Sequence, residues 1–257
     1  MRTLEPRYSK AACVSRSVGA FAVVLFLTSA TSHRLGILET VPFFWLLGLV
    51  FLIAIAGFCL AIMGVVQFWE HGLYGLKSAL LGALLSALAL VPYGVSAYRF
   101  AVHPRLTDIS TDISRPPQLV QARALRVPPM NPLRPASEKD RLLQVGAYPD
   151  LAGRRYEHAG EQVLTAVRRL LEDRGWELLT PLPEGEEFAS VTIEAVAHSF
   201  LLGLPADVAI RVEERLNGTY VDMRSVSRYG RHDLGENATR IRRFLEELDR
   251  RLEGESL

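Results

Sequence analysis

Cysteine is scarce in this chain, and its distribution excludes thiol chemistry from most of it. The 257 residues include only two cysteines, Cys13 and Cys59. Residues 99–257 can therefore form neither a disulfide nor a thiol nucleophile. We expect this part of the chain to be held together by an apolar core, which a segment of this length can supply.

The familiar motifs of several enzyme classes are also missing. The chain has no Walker loop, no dinucleotide-binding glycine fingerprint and no G-x-S-x-G nucleophile elbow. His158, His198 and His232 lack the spacing of metal ligands. Ser199 follows His198, but neighbouring residues of a strand point to opposite faces. We therefore expect no cofactor and no metal ion, and we name no catalytic residue.

Charge is missing from two long stretches near the N-terminus. Residues 42–68 carry no charged side chain, and residues 75–98 carry only Lys77. At about 1.5 Å per residue, either stretch is long enough as a helix to cross the ~30 Å hydrocarbon core of a bilayer. A buried helix of a soluble protein is the alternative, but apolar runs of this length are typical of membrane spans.

A shorter apolar segment at residues 18–30 has two interpretations. It can be a third membrane helix or the apolar region of a signal peptide, because four basic residues precede it. We favour a membrane helix, since two further spans follow. The sequence thus predicts a transmembrane region over residues 1–98, with helices at about 14–31, 42–68 and 75–98. The bilayer is the expected partner of these helices.

The distribution of basic residues predicts the orientation in the membrane. Four of the six basic residues in 1–98 precede the first apolar segment, which favours a cytoplasmic N-terminus. Three crossings, or cleavage of the first segment, then leave the C-terminal part outside the cytoplasm. If the first segment does not insert, that part is cytoplasmic instead. We expect the first arrangement, in the inner membrane of a bacterial cell.

The remaining residues predict a proline-rich segment and an α+β domain. Seven prolines in residues 99–145 forbid long helices there, and we call this segment the arm. It is an arm or a linker, and whether it packs on the domain is left open. In residues 146–257, apolar periodicity predicts a helix over 157–174, a four-stranded antiparallel sheet with an Asn217-Gly218 turn, and a final helix capped by Asp233. Residues 99–257 contain 23 basic and 25 acidic side chains, which argues against a nucleic-acid partner.

A dense group of polar residues follows the predicted turn. The candidate ligand-binding residues are Asp222, Arg224, Ser225, Ser227, Arg228, Asp233, Asn237 and Arg240. In one interpretation the guanidinium groups and the N-terminus of the last helix bind an anionic or polar ligand. In the other, Asp222 and Arg224 form cross-strand ion pairs with Arg211 and Glu194, and Asp233 only caps the helix.

Five motifs carry a family resemblance. They are TDISTDISRPP (107–117), YPDL (148–151), TIEAVAHS (192–199), DVAIRV (207–212) and VDMRSVSRYGRHDLGENATRI (221–241). With them the chain resembles the domain of unknown function 1499 family over roughly residues 103–250. The resemblance implies N-terminal membrane segments or an export signal, but no established activity and no catalytic residues. Members often carry an acidic pair before the IRV-like strand, where this chain has Ala206 and Asp207.

These observations favour a non-enzymatic membrane protein. We expect an integral membrane protein with an exported domain that is a binding or scaffold module for an envelope protein or an anionic or lipidic ligand. The alternative is a membrane-anchored, hydrolase-like enzyme that uses Asp222, His232 or Asp233 within the Asp222–Arg240 cluster. A third interpretation is a structural module of a larger membrane complex, with Ala79, Ala83 and Ala87 as its contact strip.

Overall fold

Three long apolar helices form the N-terminal unit. A computed structural model describes residues 7–180, 188–199 and 201–254, and the chain divides into one unit of residues up to Tyr98 with Leu201–Gly203 and a second unit of the remainder. The helices are α1 (Lys10–Arg34), α2 (Thr40–His71) and α3 (Leu76–Val102). Each is long and apolar enough to cross a membrane.

Small residues let these helices approach closely. Ala22, Ala54 and Ala89, one from each helix, form a buried cluster. A Cβ added to Gly64 would lie 2.9 Å from the Cα of Ala12, so only glycine fits between α1 and α2 at this point. Such small-residue contacts are typical of membrane helices, where burial of apolar surface does not itself drive association.

Six strands in the second unit form one antiparallel sheet. They are β1 (Asp108–Ser110), β2 (Arg154–Tyr156), β3 (Glu177–Leu178), β4 (Ser190–His198), β5 (Pro205–Arg215) and β6 (Gly218–Ser227). The order is β1-β6-β5-β4-β3, and β2 also pairs with β6. The α+β class is as predicted, but the count of four strands was wrong. β1 and β2 have three residues each, too few to show the alternation that identifies a strand.

The hairpin between β5 and β6 differs by one residue from the prediction. Arg215 pairs with Gly218, so Leu216 and Asn217 form the loop, and Gly218 already belongs to β6. Gly218 has a φ of 128°, and a Cβ there would lie 2.5 Å from the carbonyl oxygen of Tyr156. The glycine therefore allows the close approach of β2, and the pair Asn217-Gly218 is not itself the turn.

One face of the sheet packs on two amphipathic helices, α6 (Gly160–Asp173) and α7 (Glu236–Gly254). We call it the helix face. Inward side chains of β5 and β6, such as Val208, Ile210 and Met223, join Leu170 and Phe244 of these helices in the main core. Both helices were predicted from their apolar stripes, and the core forms because those stripes meet the alternating apolar residues of the strands.

The arm covers the opposite face of the sheet, which we call the arm face. Besides β1, it contains α4 (Val120–Leu125) and α5 (Glu138–Ala147). Leu119 and Ala122 of the arm form a second, smaller apolar cluster with Ala209 of β5 and Val226 of β6. Packing of the arm on the domain, left open by the sequence, is therefore present in the structure.

Candidate functional site

The eight candidate residues do not form one site, because those in and directly after β6 alternate between opposite faces of the sheet. Ser225 and Ser227 lie on the helix face, near Asn237 and Arg240 of α7. Asp222, Arg224 and Arg228 lie on the arm face and contact the partners described below. Alternation along a strand makes this separation inevitable.

The helix-face group is a closed hydrogen-bond network. The Asn237 side chain is fully buried, and it donates to the Ser227 hydroxyl (3.0 Å) and the Thr107 carbonyl (3.0 Å). Its oxygen accepts from the Ser225 hydroxyl (2.8 Å) and from Nη1 of Arg240 (2.8 Å). Burial lowers the pKa of Arg240. These contacts join α7 to β6.

Asp233 caps the last helix, as one interpretation predicted. Its two carboxylate oxygens accept the backbone N–H groups of Gly235 (3.0 Å) and Asn237 (3.0 Å). Burial raises the pKa of Asp233, although these two hydrogen bonds act in the opposite direction. The carboxylate thus satisfies amides at the start of α7 that have no partner within the helix.

On the arm face, Asp222 belongs to a cross-strand ion pair. Nη2 of Arg211 lies 2.7 Å from Asp222, its register partner, and 2.8 Å from Asp112 of the arm. The side chain of Thr111 also donates to Asp222 (3.0 Å). The predicted pair between Asp222 and Arg211 is therefore present.

Glu194 has another role than the predicted cross-strand pairing. Its buried carboxylate accepts the backbone N–H groups of Val120 (2.8 Å), Gln121 (3.0 Å) and Ala122 (2.9 Å). It thus satisfies the amides at the start of α4, which a sequence pattern of period two does not reveal.

Two further arginines, Arg224 of β6 and Arg228 directly after it, bind buried or half-buried carboxylates. Arg224 holds both oxygens of Asp108, at 2.9 and 2.6 Å. Arg228 lies 2.7 Å from Asp207, which is fully buried and also binds Arg126 of the arm at 2.6 Å. Every candidate residue thus has a partner inside the domain, and these partners hold the arm and α7 on the sheet.

A basic cavity lies at the edge of the sheet beside β1. It has a volume of about 510 Å³ and is lined by β1, the segment after β6, residues 131–136 and the first turn of α5. Its basic side chains are Arg105, Arg134, Lys139 and Arg231. Its acidic side chains are Asp108 and Asp140.

The walls of this cavity are fixed by hydrogen bonds from the arm. Asn131 donates its side-chain N–H groups to the carbonyls of Ser227 (3.2 Å) and Gly230 (2.7 Å). Gln144 of α5 bonds the backbone N–H and carbonyl of Ser110, as a neighbouring strand would. Ser137 accepts the N–H of Asp140 and so caps α5.

The four basic side chains of this cavity are exposed and have no hydrogen-bonded or ionic partner among the described residues. By contrast, Arg224 neutralises Asp108, and the Asp140 carboxylate accepts from the Ser137 hydroxyl (2.7 Å). The cavity is therefore positively charged and able to accept an anion.

Reasoning from the sequence missed these residues because three of the four lie in the proline-rich arm, where no regular pattern was recognised. A usable signal was present in the charges. The arm holds eight basic and four acidic side chains, whereas residues 146–257 hold fifteen and twenty-one. A basic segment in an otherwise acidic domain indicates a local anion site.

The residues expected to act in the alternative, hydrolase-like enzyme do not line this cavity. Asp222, His232 and Asp233 are absent from its wall. His232 accepts the N–H of Leu234 on Nδ1 (2.9 Å), and its Nε2 lies 3.1 Å from the His103 carbonyl. Among the described residues, no cluster of three or more His, Cys, Asp or Glu side chains could hold a metal ion.

Comparison with known proteins identifies the family. Searches of curated proteins and of solved structures gave no significant match. The model of the family described as "Protein of unknown function (DUF1499)" matches residues 108–248, more than half of the chain and all six strands. The resemblance predicted from the five motifs is thus confirmed, and the chain belongs to the DUF1499 family.

Proposed function

We propose that the protein is a membrane-anchored binding module whose C-terminal domain takes an anionic ligand in the cavity beside β1. The observation that carries this proposal is the set of cations there that have no partner in the described part of the chain, whereas most other arginines of the domain have carboxylate partners. A guanidinium presents a fixed fork of N–H donors, which matches carboxylate and phosphate oxygens. An anion is therefore the ligand class that this cavity fits.

Apolar side chains in the same wall favour a ligand with a neutral part. Leu106, Leu133, Leu143 and Val226 line the cavity together with the cations. Its volume of about 510 Å³ lies within the usual range of ligand pockets, about 300–1,000 Å³. A small inorganic anion would leave much of this space unused, so the ligand carries an organic body.

The site proposed from the structure differs from the one expected from the sequence. The eight candidate residues support the fold, and among them only Arg224 contributes to binding, because it neutralises Asp108 at the cavity wall. In this proposal Arg224 is a positioning residue. Its role depends on the ion pair and not on contact with the ligand.

Binding is tested by isothermal titration calorimetry, in which methylphosphonate is titrated into the full-length protein in detergent. Exchange of both Arg134 and Lys139 for Gln is expected to weaken binding about tenfold or more, because two charge-assisted hydrogen bonds are lost. The matched control changes Arg243 and Arg250 to Gln, since both are exposed cations of α7 outside the cavity. Equal affinity of both double variants would contradict the proposal.

We also propose that the domain is exported, on the basis of the basic residues at the N-terminus. A topology reporter after Leu257 tests this orientation. Alkaline phosphatase activity is expected, whereas fluorescence from a protein that matures only in the cytoplasm would reverse the orientation. The result decides whether the ligand is sought among envelope or cytoplasmic anions.

A further inference from the structure

A second cavity adjoins the first and shares its wall. It has a volume of about 220 Å³, and residues common to both walls are Asp108, Arg134, Pro135, Ala136 and Asp140. We call the larger cavity the first lobe and the smaller the second lobe. The two lobes therefore adjoin along this shared wall.

Each lobe has basic side chains of its own. Arg105, Lys139 and Arg231 line only the first lobe, and Arg123 and Arg141 line only the second. The largely buried Arg224, which binds Asp108, also lines the second lobe. Arg134 belongs to both walls. Like the cations of the first lobe, Arg123 and Arg141 are exposed and have no ionic partner among the residues described.

The carboxylates of the shared wall oppose an anion only weakly. Asp108 is neutralised by Arg224, which has about nine-tenths of its surface buried and also donates to the Pro117 carbonyl (3.2 Å). The Asp140 carboxylate accepts a hydrogen bond from the Ser137 hydroxyl (2.7 Å), and the Asp140 backbone N–H donates to the same hydroxyl oxygen (3.1 Å). Both lobes therefore remain basic where they meet.

We infer that the ligand carries two linked anionic groups, one for each lobe, with Arg134 between them. This inference rests on the proposed function and names its ligand class. The second lobe, with a volume of about 220 Å³, has room for one phosphate or phosphonate together with part of the linker. The first lobe takes the other anionic group and the organic body, next to Leu106 and Leu133. Joining two anions gives the second group a high effective concentration at its lobe.

The test compares 1,5-pentylenebisphosphonate, whose five-atom linker equals the one between the two phosphates of cardiolipin, with methylphosphonate on the full-length protein in detergent, by calorimetry. The bisphosphonate is expected to bind about tenfold tighter or more, because it occupies both lobes. If methylphosphonate binds and the bisphosphonate binds no tighter, the two-anion inference is overturned while the proposed function stands. If neither probe binds, both are overturned.

Variants of the second lobe separate a site from general charge attraction. Exchange of Arg123 and Arg141 for Gln is expected to lower the affinity for the bisphosphonate until it equals the affinity for methylphosphonate. The affinity for methylphosphonate itself is expected to stay unchanged. Lys at both positions is expected to restore part of the difference. The Arg243 and Arg250 double exchange removes the same charge outside both lobes. An equal loss in that control overturns the inference.

Two sources can supply such a ligand, a lipid with a bisphosphate headgroup or a soluble bisphosphate. The lipid source is tested with the protein in nanodiscs that contain either cardiolipin, which carries two phosphates, or phosphatidylglycerol, which carries one. Native mass spectrometry counts the lipid molecules that the protein retains. Retention of cardiolipin alone, lost on exchange of Arg123 and Arg141, supports a lipid source. Binding of the soluble probe without lipid retention supports a soluble one. If both lipids are retained equally and exchange of Arg123 and Arg141 changes neither, the protein does not recognise the two linked phosphates of cardiolipin, and a lipid source is overturned.

Discussion

The two faces of the sheet are built by different forces. On the helix face, apolar residues of β5 and β6 meet α6 and α7, and the core is held by burial of apolar surface. On the arm face, a small apolar cluster is surrounded by buried or half-buried carboxylates that bind arginines and backbone amides. The comparison shows that a strand can alternate between apolar and charged residues without having a solvent-exposed face.

The two faces also differ in how they fail. Loss of apolar volume leaves a cavity, whose effect depends on how far the neighbours relax. Loss of one partner in a buried ion pair leaves an uncompensated charge, which is costly in any arrangement of the neighbours. Substitutions on the two faces therefore distinguish these mechanisms.

The largest effect is expected on the helix face. Phe244 is fully buried, and its ring lies 5.7 Å from that of Trp176. Exchange for Ala should lower the free energy of unfolding by about 3–5 kcal/mol. Amide hydrogen exchange of β5 in the full-length protein measures the change. Leu142→Ala, at an α5 side chain that is 68% exposed, is the control and should change little. A similar loss in both variants would contradict the assignment of the core.

On the arm face, Asp207→Asn is expected to have a slightly smaller effect. The carboxylate binds Arg126 and Arg228, and the Asp207 and Arg126 side chains are almost wholly buried. An amide keeps one acceptor but leaves the buried guanidinium charge unpaired, which should destabilise the domain by about 3 kcal/mol. Asp173→Asn removes an ion pair in which the Asp is 60% exposed, with an expected change below about 1 kcal/mol. Equal effects would mean that burial does not matter here.

Periodicity predicted the helix face and missed most of the arm face. The apolar stripes of α6 and α7 and the alternation in β4, β5 and β6 can be recognised in one pass along the chain. β1 and β2 cannot, because short strands are defined by their partner β6 and not by their own sequence. Glu194 alternates with apolar residues of β4, a pattern typical of a strand with one solvent-exposed face, but its carboxylate is buried and caps α4.

The candidate site shows the same division. Charged residues of β6 were correctly recognised as a family motif, but motif density in this case marks ion pairs that join distant segments. The cavity cations, such as Arg105 and Arg231, are more than 100 residues apart in the sequence and come together only because β1 pairs with β6. The basic excess of the arm could have indicated the three cations that lie in the arm, but not Arg231.

A moderate effect is expected from Glu194→Gln. The amide group retains an oxygen for two of the three backbone N–H groups at the start of α4, but its NH₂ faces the third. An unsatisfied buried donor costs about 1–3 kcal/mol. The change should appear as faster hydrogen exchange at Val120–Ala122, while the amides of α7 stay protected. Glu253→Gln, at an exposed position of α7, is the control. Uniform loss of protection would instead indicate global destabilisation.

The smallest effect is expected from Asp112, and it depends on pH. Burial raises the pKa of Asp112, but hydrogen bonds from the Arg115 N–H, Ser114 and Arg211, with the charge of Arg211, outweigh it and lower the pKa to about 2. A carboxylate with a lowered pKa stabilises the folded state above its unfolded pKa of 3.8, and this contribution is lost as the pH falls towards 2. Its side chain is 20% exposed and Arg211 keeps Asp222, so Asp112→Asn should cost only about 0.2–1 kcal/mol near pH 6.

The difference between wild type and Asp112→Asn should shrink between pH 4 and pH 2, because the wild-type carboxyl becomes neutral as well. Hydrogen exchange at β6 in the full-length protein, followed at several pH values with correction for the intrinsic exchange rate, measures it. A difference that persists at pH 2 would mean that Asp112 acts through shape and not charge. The arm face would then depend on packing at Asp112, as the helix face does throughout. The contrast between the two faces would be confined to the ion pairs of the buried Asp207 and the half-buried Asp108.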